Sequence, residues 1–141
     1  MPRELTESER QEFLAATHVA VLSVAADGRP PASVPIWYDY TPGGNIRFTT
    51  GESSRKARLT KAAGVVTLVV QDEAPPYRYV AVEGSVVDVT TPTPLAVGEA
   101  IAVRYLGDEA GREFARSLQE EVVSSLFTIR PDRWISADFS E

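Results

Sequence analysis

The sequence contains no cysteine, one histidine and one methionine. Without cysteine there is no disulfide, no thiol nucleophile and no thiolate metal site. His18 alone cannot build a zinc centre, which takes three or four ligands. A Ser-His-Asp triad would have to use that one ring. Bases are scarce too, 14 against 20 acids, for a net charge of −6. A general nucleic-acid binder is usually basic, so this balance argues against one. It says nothing against a small anion held in a local basic pocket. No run of 18 apolar residues is present, so no membrane span is expected. The opening segment MPRELTESER has no apolar core behind its charges, as a signal peptide would need. The expected location is the cytoplasm.

What is present fits one globular domain over residues 1–141. Hydrophobic residues make up 43 % and charged residues 24 %, which excludes general disorder. A chain of this size buries roughly 70 % of its unfolded surface, enough for a sizeable core. Arginine outnumbers lysine twelve to two and alanine is frequent, the mark of a GC-rich genome.

Thr6 and Glu9 have the spacing of a capping box, and Phe13 and Leu14 follow on one face, predicting a helix over 6–16. Residues 18–25 read as a strand, Asp27-Gly28 as a hairpin turn, and 31–39 as the returning strand. Pro35 lies inside that strand and cannot donate to a ladder, so it marks an edge or a bulge. Pro42 to Asn45 make a second turn and 46–50 a third strand. A helix over 53–63 follows, capped by Ser53 or Ser54 and ended by Gly64. The run VVTLVVQ over 65–71 reads as a strand buried on both faces. Residues 77–89 alternate and break at Gly84, a bulge or bend. Helices are predicted from Pro94 to Leu106, interrupted at Gly98, and near 109–119. Strands at 123–129 and 133–138 flank Pro131. Six or seven strands with three or four short helices predict a mainly β, α+β protein, an antiparallel barrel or sandwich decorated by helices.

Arg55, Lys56, Arg58 and Lys61 hold more than a quarter of all the bases within seven residues. They follow Thr49, Thr50 and the two serines at a predicted helix start. Unpaired N–H groups and partial positive charge suit that place to phosphate, and cations and hydroxyls strengthen the hold. The plain alternative is a solvated basic helix face. Trp37, Tyr38 and Tyr40 beside Pro35 would line a flat-ligand pocket or fill the core. Pro75 to Tyr79 reads as an interface or an ordinary loop. His18 reads as a structural histidine, and Asp108 to Glu121 as a solvated helix surface. No carboxylate pair has a spacing that demands acid–base catalysis.

The ordered segments VAVLSVAADGRPPASVPIWYDY, IRFTTGESSRKARLTKAAGVVTLVVQDE and YRYVAVEGSVVDV carry a resemblance. Over residues 6–138 the chain resembles the pyridoxamine 5′-phosphate oxidase-like flavin-binding split β-barrel superfamily. It looks closest to the actinobacterial branch of flavin- and deazaflavin-dependent oxidoreductases. The resemblance implies a six-stranded antiparallel split β-barrel with peripheral helices, forming a homodimer with cofactor sites at the interface. It implies a cofactor phosphate on Thr49, Thr50, Ser54, Arg55, Lys56 and Arg58. The ring would lie along Val34, Pro35, Ile36 and Trp37. Tyr79 and Trp134 of the partner would close the groove. Hydride transfer between the deazaflavin coenzyme F-420, favoured over flavin mononucleotide (FMN), and a small planar unsaturated organic substrate is the implied chemistry. The cofactor would carry it, which agrees with the lack of obvious catalytic side chains. True pyridoxamine phosphate oxidases are longer and hold the substrate phosphate with basic and histidine residues that have no counterpart here, so vitamin-B6 oxidation is not expected. Two alternatives remain: an FMN-dependent oxidoreductase of the same fold, and a non-catalytic carrier of a flavin, deazaflavin or haem, with His18 the residue to watch.

Overall fold

A computed structural model gives the fold and describes residues 1–140. The order is α1 (Glu7–Ala15), β1 (Ala20–Ala26), β2 (Arg29–Ile36), β3 (Asp39–Tyr40), β4 (Ile46–Gly51), α2 (Arg55–Ala63), β5 (Val65–Gln71), β6 (Arg78–Thr90), α3 (Leu95–Leu106), α4 (Asp108–Glu121) and β7 (Ser124–Asp138). The protein is mainly β with helices. All seven strands form one antiparallel sheet in the order β2-β1-β5-β6-β7-β4-β3. The two end strands, β2 and β3, do not pair with each other, so hydrogen bonding leaves the sheet open. The count exceeds six because the chain leaves β2 after Ile36 and re-enters the sheet as the two-residue β3.

Local chemistry fixes the element ends. The capping box of α1 is complete: Thr6 Oγ1 accepts from Glu9 N–H and the Glu9 carboxylate accepts from Thr6 N–H. Ser54 caps α2 by accepting from Ala57 N–H at 3.0 Å. Gly64 ends α2 in the left-handed region at φ 72°, a conformation that costs glycine nothing.

The core forms where one face of the sheet meets α1 and α2. Leu22, Leu68, Val80 and Val82 line it from the central strands. Register partners Phe48 and Phe127 stack at 5.3 Å. Tyr38 is fully buried, and its hydroxyl donates to the Leu14 carbonyl at 2.6 Å, tying the chain beyond β2 to α1.

Three readings of the sequence are corrected. First, β5 is buried on one face only. Val66, Leu68 and Val70 point inward, while Val65 is exposed and Val69 half-buried. Its continuous apolar run reflects an apolar row on the outer face, where Pro35, Val21, Val69, Ala81 and Ile135 stand side by side across five strands. Second, β7 runs unbroken through Pro131, which pairs with Gly84 where the register shifts. A bulge is where a strand tolerates proline. Third, Gly98 does not interrupt α3.

Candidate functional site

A cavity of about 530 Å³ lies between the end of β2, the start of α2 and the hairpin of α3 and α4. That falls within the range of ligand pockets, about 300–1,000 Å³. The β side supplies Pro35, Ile36, Trp37 and Thr49, with Lys56 from the first turn of α2. The helical side supplies Leu95, Ile101, Phe114 and Leu118.

Two contacts shape the cavity. The Trp37 ring stacks on Tyr105 with centroids 4.8 Å apart, and it leans against Phe114 at 5.6 Å. Tyr105 is held by its hydroxyl, which donates to the His18 carbonyl at 2.7 Å and accepts from Tyr38 N–H at 3.1 Å. So α3 is pinned to the junctions before β1 and after β2, and Trp37 is pinned to α3. Gly111 brings α4 against α3 closely enough that a Cβ there would lie 2.6 Å from Val103 Cα.

Lys56 is the one ionisable side chain in the cavity wall. It is half-buried, and burial pushes its ammonium below the usual lysine range. Among the described residues no carboxylate lies in ion-pair contact with it. A desolvated cation without a counter-ion, at a helix start where the first backbone N–H groups have no partner within the helix, is a place for an anion.

Of the residues singled out in the sequence, the structure brings Pro35, Ile36, Trp37, Thr49 and Lys56 to one cavity. Val34 is half-buried beside it against the core. Thr50 and Ser54 sit at the helix start with their hydroxyls 3.0 Å apart, and the Ser54 hydroxyl is engaged as the cap. Arg55 and Arg58 are exposed and do not line the cavity. Tyr79 stands on the outer face of the sheet, paired across the register with Gln71 and Ala137. Trp134 points to the inner face instead: it packs on the core, lies 6.1 Å from Tyr40 and has the Arg10 guanidinium 5.0 Å from its ring.

Sequence reasoning missed the helical wall. Residues 108–121 read as a solvated surface because charge dominates them. Yet Gly111, Phe114, Ala115, Leu118 and Val122 recur at the spacing of one helix face, and that period was the available signal. His18 lines a different cleft, of about 420 Å³, with Asp72 and Arg78. Its ring stacks on Phe13 at 4.5 Å, its Nε2 is buried without a partner, and burial lowers its pKa.

A sequence profile described as pyridoxamine 5′-phosphate oxidase matches residues 6–133, nearly the whole chain. The chain belongs to the pyridoxamine 5′-phosphate oxidase-like family. Solved structures share its fold. One named as an F-420 reductase is 25 % identical, with a TM-score of 0.70 over 89 % of this chain and 94 % of its own. A conserved hypothetical protein from Mycobacterium tuberculosis is 20 % identical, with a TM-score of 0.76 over 96 % of this chain and 86 % of its own. A protein from Mesorhizobium loti described as FAD-binding is 19 % identical, with a TM-score of 0.67 over 100 % of this chain and 98 % of its own. No curated protein matches the sequence.

Proposed function

We propose that the protein is an oxidoreductase whose cavity holds a phosphate-bearing flavin-type cofactor, with coenzyme F-420 the favoured one. Its partner in hydride transfer would be a small planar unsaturated organic substrate. The observation that carries this reading is Lys56, a lone half-buried cation facing a cavity with a tryptophan in its wall. Thr49 adds a hydroxyl on the same side. The donor set fits a phosphate: one ammonium, one hydroxyl and the helix start. Trp37, fixed flat by Tyr105, offers a face for a planar ring. When bound, such a cofactor would accept and donate the hydride. This chain's own residues bind the phosphate, orient the ring and exclude water.

The family supports a flavin-type cofactor, and the likeness to a structure named as an F-420 reductase favours the deazaflavin over FMN. The FMN-dependent alternative keeps its place because a protein described as FAD-binding shares the fold over its whole length. The carrier reading receives less support for haem, because His18 Nε2 is buried and the ring is covered by Phe13.

The apolar row on the outer face of the sheet supports a homodimer. The apolar row across the sheet reaches Pro35, which also lines the cavity, so a second copy pressed on that face would extend the cavity wall. Tyr79 stands on that face.

Fluorescence titration of the purified protein with coenzyme F-420 and with FMN tests the reading. Micromolar binding of F-420 is expected. Lys56→Ala should weaken it by about 1.5–3 kcal/mol, the worth of one charge-assisted contact, or one to two decades in dissociation constant. An unchanged constant would remove α2 from the site. A protein that purifies yellow, absorbing near about 450 nm, would favour FMN.

A further inference from the structure

We propose that the helical wall of the cavity is a substrate chamber for uncharged, apolar ring compounds, with Phe114 and Leu118 setting that selectivity. This rests on assigning Lys56 to the cofactor phosphate. With Lys56 taken, the wall has no ionisable group left. A charged substrate group entering there would lose its water and gain no partner. The polar groups are few and mostly spent. Ser124 Oγ donates to Thr93 Oγ1 at 2.9 Å, which leaves Gln119 as the free amide. An amide can orient a carbonyl or hydroxyl, but it does not select charge.

The apolar surface is concentrated on the same side. Phe114 and Leu118 are one helical turn apart on α4 and remain 43 % and 37 % exposed, although both line the cavity. Such exposure of large side chains in a cavity wall is surface held open for an apolar ligand. The Phe114 and Trp37 rings meet at 5.6 Å, inclined at 49°, and so join into one aromatic corner of the wall. On its other faces α4 carries five acids against two bases, which repel an approaching anion. The chamber therefore rejects phosphorylated substrates on two grounds, a missing cation within and negative charge without.

A matched pair of dyes tests this. N-phenyl-1-naphthylamine is uncharged, and 8-anilino-1-naphthalenesulfonate adds a sulfonate to the same rings. Both are titrated by fluorescence enhancement into the protein and into Lys56→Met, Phe114→Glu and Leu118→Glu. Circular dichroism checks that the variants are folded, and both glutamates sit at partly exposed helix positions. The uncharged dye should bind both the native protein and Lys56→Met. Phe114→Glu and Leu118→Glu should each weaken it at least about tenfold. In Lys56→Met the sulfonate dye should bind at least about tenfold more weakly than the uncharged one. Three results would overturn the proposal: no binding of the uncharged dye, binding indifferent to both glutamates, or equal binding of the two dyes in Lys56→Met. None of these readings involves the cofactor, so a failed F-420 titration and a failed chamber are told apart.

Discussion

Glu9 illustrates how much one side chain can do at an exposed place. Its carboxylate closes the α1 capping box and also meets Arg3 at 2.8 Å. The Arg3 hydrogen bond, followed by the Thr6 backbone N–H, lowers its pKa from 4.5 to about 2. A carboxylate whose pKa is lower in the folded state contributes stability that is complete above its unfolded value, near 4.5, and lost as the pH falls towards 2. The contribution is modest at so exposed a position. A carboxyl-carbon NMR titration should place the Glu9 midpoint close to 2, and Arg3→Ala should move it upward. A midpoint unmoved by that substitution would leave the capping box alone as the cause. At this scale the sequence was most legible where a residue acts on its own neighbours: Thr6, Ser54 and Gly64 announced their caps. Tyr105 was illegible. Its partners, Tyr38 and His18, lie 67 and 87 positions away, and no local pattern carries that information.

Among the elements, strands with tight turns were legible because their alternation is local. The pair β6 and β7 was legible only in part. Gly84 broke the β6 pattern visibly, and the register does shift there. Pro131 looked like an end because the strand that accommodates it was not in view. The two residues are one feature: a glycine without a side chain facing a proline without a donor. A Cβ at residue 84 would lie 2.5 Å from Ile129 Cγ2 and 2.8 Å from the Arg130 carbonyl oxygen. Gly84→Ala should therefore destabilise the fold by about 1–3 kcal/mol, as forced overpacking does. Urea denaturation measures it, and a variant of native stability would show that the strands part easily at this bulge. The helical hairpin is the opposite case. Its boundaries were close to right, but its role was hidden because charge masked the apolar face of α4.

For the whole molecule, the succession of strand and helix patterns set the class correctly, mainly β with helices, while the open seven-stranded order required long-range pairing to appear. The outer face is where the remaining apolar surface lies. Val21 and Ile135 are 41 % and 39 % exposed in a row of apolar neighbours, beside a polar row of Ser33, Ser23, Thr67, Glu83 and Arg133. A face of this kind is suited to association. The protein should sediment with twice its chain mass, and the double variant Val21→Glu, Ile135→Glu should sediment as a monomer. Because Pro35 belongs both to this row and to the cavity, that variant should also bind the cofactor more weakly. A native monomer would end the idea of a shared groove.

The path of the chain into and out of α3 and α4 has a consequence for how this fold can vary. Thr93 N–H donates to the Ser124 carbonyl, Thr91 and Ser125 join through their hydroxyls, and Thr90 pairs with Leu126. The hairpin thus leaves and rejoins the sheet at one doorway, between two strands that are already neighbours. It is a cassette. Another segment of suitable span could be grafted between Thr91 and Ser125 without reordering a single strand, and it would replace one whole wall of the cavity, the ring supports of Trp37 included, while leaving Lys56 and Thr49 in place.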